Sequence, residues 1–192
     1  MDKIVRVPAN ADEMTLQQLM NLLGGNVQGL LEMSDEELEN ADLDDLQQVI
    51  DAWNKIPLMP TAPFDTITGY DQRFVLKSIL QDWKVGERMV FDEALKEPLK
   101  NLHILIALHT RPALTKYQAI TSMKKQGATM KQMFRVATNG EKWLPKAFDK
   151  KELHDRAELF LQTMTAGQAL YICTYFTILA GEYLKQELAE TA

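Results

Sequence analysis

The chain has 192 residues, 46% of them hydrophobic and 25% charged, with a formal net charge of −6. This is globular composition, neither disordered nor fibrous, and the length is enough for one substantial core. The single cysteine, Cys173, excludes an intramolecular disulfide framework and a cysteine-based zinc site, and Met1-Asp2-Lys3 leads into no apolar run that would read as a secretory signal.

In chain order, Ile4-Val5-Arg6-Val7 is β-prone and stops at Pro8. It reads either as a frayed end or as an extended arm laid on a partner through Ile4, Val5 and Val7. Leu16, Leu19, Met20 and Leu23 follow helical spacing from Asp12 onward, and Gly24-Gly25 supplies the stop. Ser34 with Glu37 forms a capping-box pattern, and Leu43, Leu46, Val49, Ile50 and Trp53 make the next apolar stripe. Pro57, Pro60 and Pro63 forbid a continuous helix, so 55–64 reads as an extended connector after an acidic helical section, 1–54.

In the main section, 65–192, the spacing of Phe74, Val75, Ile79 and Leu80 predicts a helix from about Tyr70 to Trp83. A turn at Lys84-Val85-Gly86 leads into a stretch with Met89, Val90, Phe91 and Leu95. Pro98 suits the first turn of another helix, apolar on most sides through Leu99, Leu102, Leu105, Ile106 and Leu108, ended by Arg111-Pro112 and expected to be central. Residues 113–150 read as a basic, loop-rich excursion. Tyr117–Lys125 and Thr129–Ala137 suit helices, Asn139-Gly140 suits a turn or a hairpin, and Trp143, Leu144 and Phe148 suit a packed loop. Asp149 with Glu152, and Thr165 with Gln168, mark the starts of two C-terminal helices. Residues 159–181 carry no formal charge, a length that spans a bilayer, but polar interruptions and the break at Thr165 favour buried core helices. The expected fold is therefore all-α: an irregular multi-helix bundle with an extended N-terminal arm and a basic insertion.

The net charge hides segregation. Residues 1–54 carry two Lys or Arg against twelve Asp or Glu, whereas 111–151 carry ten against two. Such blocks are either ordinary solvated faces or opposite-signed surfaces that meet within the chain or between copies. The basic candidates are Lys124, Lys125, Lys131, Arg135, Lys142, Lys146, Lys150 and Lys151, interleaved with Tyr117, Phe134 and Trp143. They suit an acidic protein surface, and nucleic acid as a secondary partner. No catalytic constellation is visible. His103 and His109 sit six residues apart, about 240° around a helix, and do not face one metal. Cys173 lies among apolar neighbours, and Gly24-Gly25 lacks a phosphate-binding context. No enzyme activity, cofactor, metal or membrane partner is expected.

The segment Trp83-Lys84-Val85-Gly86-Glu87-Arg88-Met89-Val90-Phe91-Asp92 resembles one in small helical structural or tail-assembly proteins of tailed bacteriophages. In that family a Val-Gly turn precedes a helix, although Arg88 and Met89 stand here in place of the usual aromatic residue. Leu102–Leu108 followed by Arg111-Pro112 is similar to the family's next helix, which ends in a basic residue and proline. Met164–Leu179, with Tyr175-Phe176, is similar to its late apolar helix. The resemblance implies a non-enzymatic virion protein, made in the host cytoplasm, that assembles in several copies with itself and other virion proteins in a tail or head–tail connector. A tail-assembly chaperone absent from the mature particle, or a DNA-associated helical protein, is the alternative. The matching positions are read as fold determinants.

Overall fold

The computed structural model describes residues 6–61, 66–67, 70–76, 84–138 and 143–177. Along them run α1 (Leu16–Leu23), α2 (Val27–Leu31), α3 (Asp35–Glu39), α4 (Leu43–Asn54), β1 (Thr66–Ile67), β2 (Tyr70–Leu76), α5 (Val85–Ala94) and α6 (Leu102–His109). They continue with β3 (Thr110–Thr115), α7 (Lys116–Lys125), α8 (Met130–Thr138), β4 (Trp143–Pro145), α9 (Lys150–Thr163) and α10, residues 166–177. The chain is mainly helical, as expected, but not purely so. An antiparallel sheet of order β1-β2-β3-β4 joins its middle.

Short-range chemistry sets many of the helix starts. The pattern Thr-x-x-Gln recurs at Thr15, Thr115, Thr129 and Thr165. Each time the threonine hydroxyl accepts the glutamine N–H while the glutamine side-chain oxygen accepts the threonine N–H. Two N–H groups that the helix itself leaves unpaired are satisfied at once. Ser34 and Glu37 do the same for α3, while Asp42 caps α4 and Asp149 caps α9. Gly24 closes α1, followed by Gly25 at φ 67°, where a side chain is disfavoured.

Several readings of the middle are corrected. Residues 70–76 form a strand, because β2 pairs with β3 through Phe74 opposite Pro112, Val75 opposite Arg111 and Leu76 opposite Thr110. Aromatic and β-branched side chains suit either a helix face or a pleated face, and cross-strand pairing decided here; the rest of the predicted helix, 77–83, lies outside the described residues. Pro98 does not open the apolar helix, which starts at Leu102 after a run of turns, and Arg111-Pro112 does more than end it, since both lie within β3. Leu144, expected in a packed loop, pairs with Leu114 in β4.

The core forms where α6 crosses α9. Ile106, Ala107 and Leu108 meet Leu153, Ala157 and Phe160, and the cluster extends to Leu16 and Leu19 of α1, Leu30 and Leu31 of α2, and Trp53 of α4. Phe74 reaches it from the sheet, its ring edge-on to Phe160 at 5.7 Å. Burying one such side chain stabilises the fold by about 1.5–3 kcal/mol. The uncharged run near the C-terminal end is divided between α9 and α10, with the break at Met164-Thr165. Among the described residues no helix is long and apolar enough to cross a membrane.

That break also closes the molecule. Thr15 and Thr165 form an antiparallel bridge. Leu16 N–H donates to the Met164 carbonyl (2.9 Å) and Ala166 N–H to the Met14 carbonyl (2.7 Å), so two capped helix starts lie side by side. Gly167 N–H donates to Ala11 O, and its Cα lies so close to Asp12 that a side chain would displace the carboxylate. Of the suggested arm, Ile4 and Val5 lie outside the described residues, while Val7 packs half-buried against the core.

Candidate protein-interaction surfaces

The two short islands Val85-Gly86-Glu87 and Arg111-Pro112 meet inside the fold. Glu87 and Arg111 form an ion pair with both residues 2% exposed. The other Glu87 oxygen accepts the Lys84 N–H at 2.7 Å, fixing the first turn of α5. The Arg111 guanidinium lies over the Phe148 ring at 5.1 Å, and a Cβ at position 86 would stand 3.2 Å from that same ring. Burial pushes the Arg111 pKa down from its ordinary value, while Glu87 and then Glu152 push it back up. The pair thus ties α5, β3 and the segment before α9 into one node. Arg156 of α9, also buried, donates to the Ala107 carbonyl at 2.9 Å.

From this node β3 runs outward into a helical hairpin. α7 ends in Lys124 and Lys125, where cations favour the negative end of the helix dipole. Gly127, at φ 76°, turns the chain, and Thr129 caps α8. The Lys116 ammonium donates to the Ala137 carbonyl at 3.3 Å, holding the start of α7 to the end of α8. α8 buries no residue, although it is amphipathic. Its Met130 and Phe134, with Tyr117 of α7, are 80%, 70% and 80% exposed. Lys131 and Arg135 run beside Met130 and Phe134 at the same four-residue spacing, so a cationic row borders an apolar one.

The structure therefore gathers Lys124, Lys125, Lys131 and Arg135 on this hairpin. Lys146, Lys150 and Lys151 belong to the entry into α9, where Lys146 pairs with Glu152 at 2.8 Å. Lys142 lies outside the described residues. Opposite in sign are α3 and the first turn of α4, with Glu36, Glu39, Asp44 and Asp45 exposed around a Leu43 that is itself 78% exposed. Among the described residues no ion pair joins this acidic region to the hairpin.

Sites of other kinds are sparse. The His109 ring stacks on Phe176 at 3.7 Å and meets Phe91 edge-on, so it is built into aromatic packing. His103 borders an open groove of about 430 Å³ lined by Gln17, Met20, Asn21, Leu99 and Leu161, with Glu158 3.8 Å away. Desolvation lowers the His103 pKa, Glu158 raises it and His154 lowers it further. Burial raises the Cys173 pKa, the opposite of what an activated thiol needs. Among the described residues no group of three His, Cys, Asp or Glu side chains could hold a metal ion.

Two features escaped the sequence reading. The buried Glu87–Arg111 pair carries no local signal of burial, and the apolar row on α8 was visible only as a helical stretch with an interleaved Phe134. No protein-family model, curated protein or solved structure matches the chain.

Proposed function

We propose that this chain works by association rather than catalysis, as a multi-copy structural component of a tailed-phage particle, in the tail or at the head–tail connector. One observation carries the reading. An acidic, Leu-bearing surface and a basic, Met- and Phe-bearing surface are both exposed, and among the described residues no ion pair joins them. Two different patches that fit each other form a heterologous contact, the kind that closes rings or extends tubes. The resemblance of Val85-Gly86-Glu87 and Arg111-Pro112 to phage tail proteins supplies the setting. The meeting of these islands in a buried ion pair supports reading them as fold determinants. Sedimentation of the purified chain should give a multimer at low salt that dissociates as salt rises. Mass spectrometry of purified particles should find the chain; its absence there rejects a virion role.

A second reading, a tail-assembly chaperone, is favoured by the exposure of Met59, Met89 and Met130 at 67–80%. Flexible thioethers suit a surface that accommodates varied partners. Abundance in infected-cell lysate combined with absence from mature particles selects this reading. A duplex-DNA role predicts a mobility shift that weakens steeply with salt, and no shift at low salt rejects it.

A further inference from the structure

We propose that the α7–α8 hairpin of one copy docks on the α3–α4 region of a second copy, with Met130 and Phe134 flanking Leu43 and with Lys131 and Arg135 facing Asp44 and Asp45. The inference rests on the self-assembly reading above and names its contact.

Three observations converge on it. First, α8 presents an apolar row that no described residue covers, with Met130 80% and Phe134 70% exposed. An amphipathic helix with no buried residue contributes little to its own stability in isolation, so a partner is its natural complement. Second, the cations beside that row are unspent. Lys124, Lys125, Lys131 and Arg135 form no ion pair with any described residue. Third, the chain carries the matching surface elsewhere. Leu43 is exposed at the first position of α4, with Asp44 and Asp45 after it and Glu36 and Glu39 on the preceding α3. Asp42 is already committed as the α4 cap, accepting the Asp44 and Asp45 N–H groups, whereas the Asp44 and Asp45 side chains point to no cation among the described residues.

An aromatic anchor bordered by charge is the arrangement that concentrates binding energy at the centre of a contact and selects the partner at its edge. Because the two patches differ, a copy that has used its hairpin still offers its acidic face. Assembly continues until a ring closes or a filament extends.

The test is a charge exchange followed by sedimentation velocity at low salt. K131E/R135E and D44K/D45K are each expected to weaken self-association by roughly tenfold to a hundredfold, because like charges then face each other. An equimolar mixture of the two is expected to assemble again, and so is the fourfold variant carrying both exchanges. F134S, which alters no charge, should weaken association by about tenfold, and the loss should persist at high salt. K96E/K100E makes the same charge change on an unrelated exposed turn and should assemble like the wild type. Helix content by circular dichroism checks that every variant is folded. Wild-type assembly that both exchanges leave intact overturns the named contact and spares self-assembly. Loss in both exchanges without recovery on mixing or in the fourfold variant also overturns the contact. A wild-type chain that stays monomeric at low salt overturns the contact and self-assembly together.

Discussion

Glu87–Arg111 and the α7–α8 hairpin use the same ions in opposite settings. Inside, one carboxylate and one guanidinium are matched within a single chain, desolvated, and backed by Phe148 and the Lys84 N–H. Outside, Lys131 and Arg135 are solvated and form no ion pair with any described residue. A desolvated charge must be answered where it stands, whereas a hydrated one is free to wait for a partner. The first arrangement defines how three segments meet; the second leaves a surface with a sign.

The largest expected effect breaks the inner half of this comparison. Arg111→Ala leaves the Glu87 carboxylate buried without its cation and should cost about 3–5 kcal/mol in urea unfolding. Replacing both residues by methionine should recover much of that loss, because no lone charge is then buried. A single variant as stable as the wild type would mean that the node is hydrated. Next in size is Thr165→Ala, which removes the hydroxyl capping α10 beside the Thr15 bridge. A loss of about 1 kcal/mol is expected by the same measurement. On the outer side, Lys146→Ala breaks the exposed pair with Glu152 and should change stability by less than about 1 kcal/mol. A drop as large as that of Arg111→Ala would erase the distinction between the two settings.

His103 sharpens the comparison by titration. Its folded-state pKa is held below the ordinary 6.5 by desolvation, against the opposing pull of Glu158. Well above pH 6.5 the imidazole is neutral whether the chain is folded or not, so it contributes no slope there. As pH falls below 6.5 the unfolded chain takes up the proton more readily, and stability declines until the folded-state pKa is passed. His103→Gln should flatten the pH dependence of unfolding just below pH 6.5, and an unchanged slope would assign that dependence to other groups.

Helix boundaries set by local chemistry were largely legible in the sequence. Ser34, Asp149 and Thr165 cap where their spacing to Glu37, Glu152 and Gln168 predicts, because each cap is decided within four residues. The Tyr117–Lys125 and Thr129–Ala137 stretches are helical for the same reason. What was not legible depends on partners far along the chain. Phe74 and Val75 read as a helix face until β3 offers its edge, and Arg111 read as a helix stop until Glu87, 24 residues earlier, claims it. The basic residues of the candidate surface were legible as composition. Their division between the hairpin and the entry to α9 needed the turn at Gly127 and the Lys116–Ala137 tie.

The Thr15–Thr165 bridge bears on how the chain is made. It joins residues about 150 positions apart, and closing so long a span costs roughly 2 kcal/mol more chain entropy than closing one a tenth as long. During synthesis α1 emerges early but finds neither the Met164 carbonyl nor the core face of α9 until nearly the whole bridge span has left the ribosome. Its buried residues Leu16 and Leu19 therefore lack their α9 partners through most of translation. Final docking is a late, non-local event, of the kind that makes folding slow.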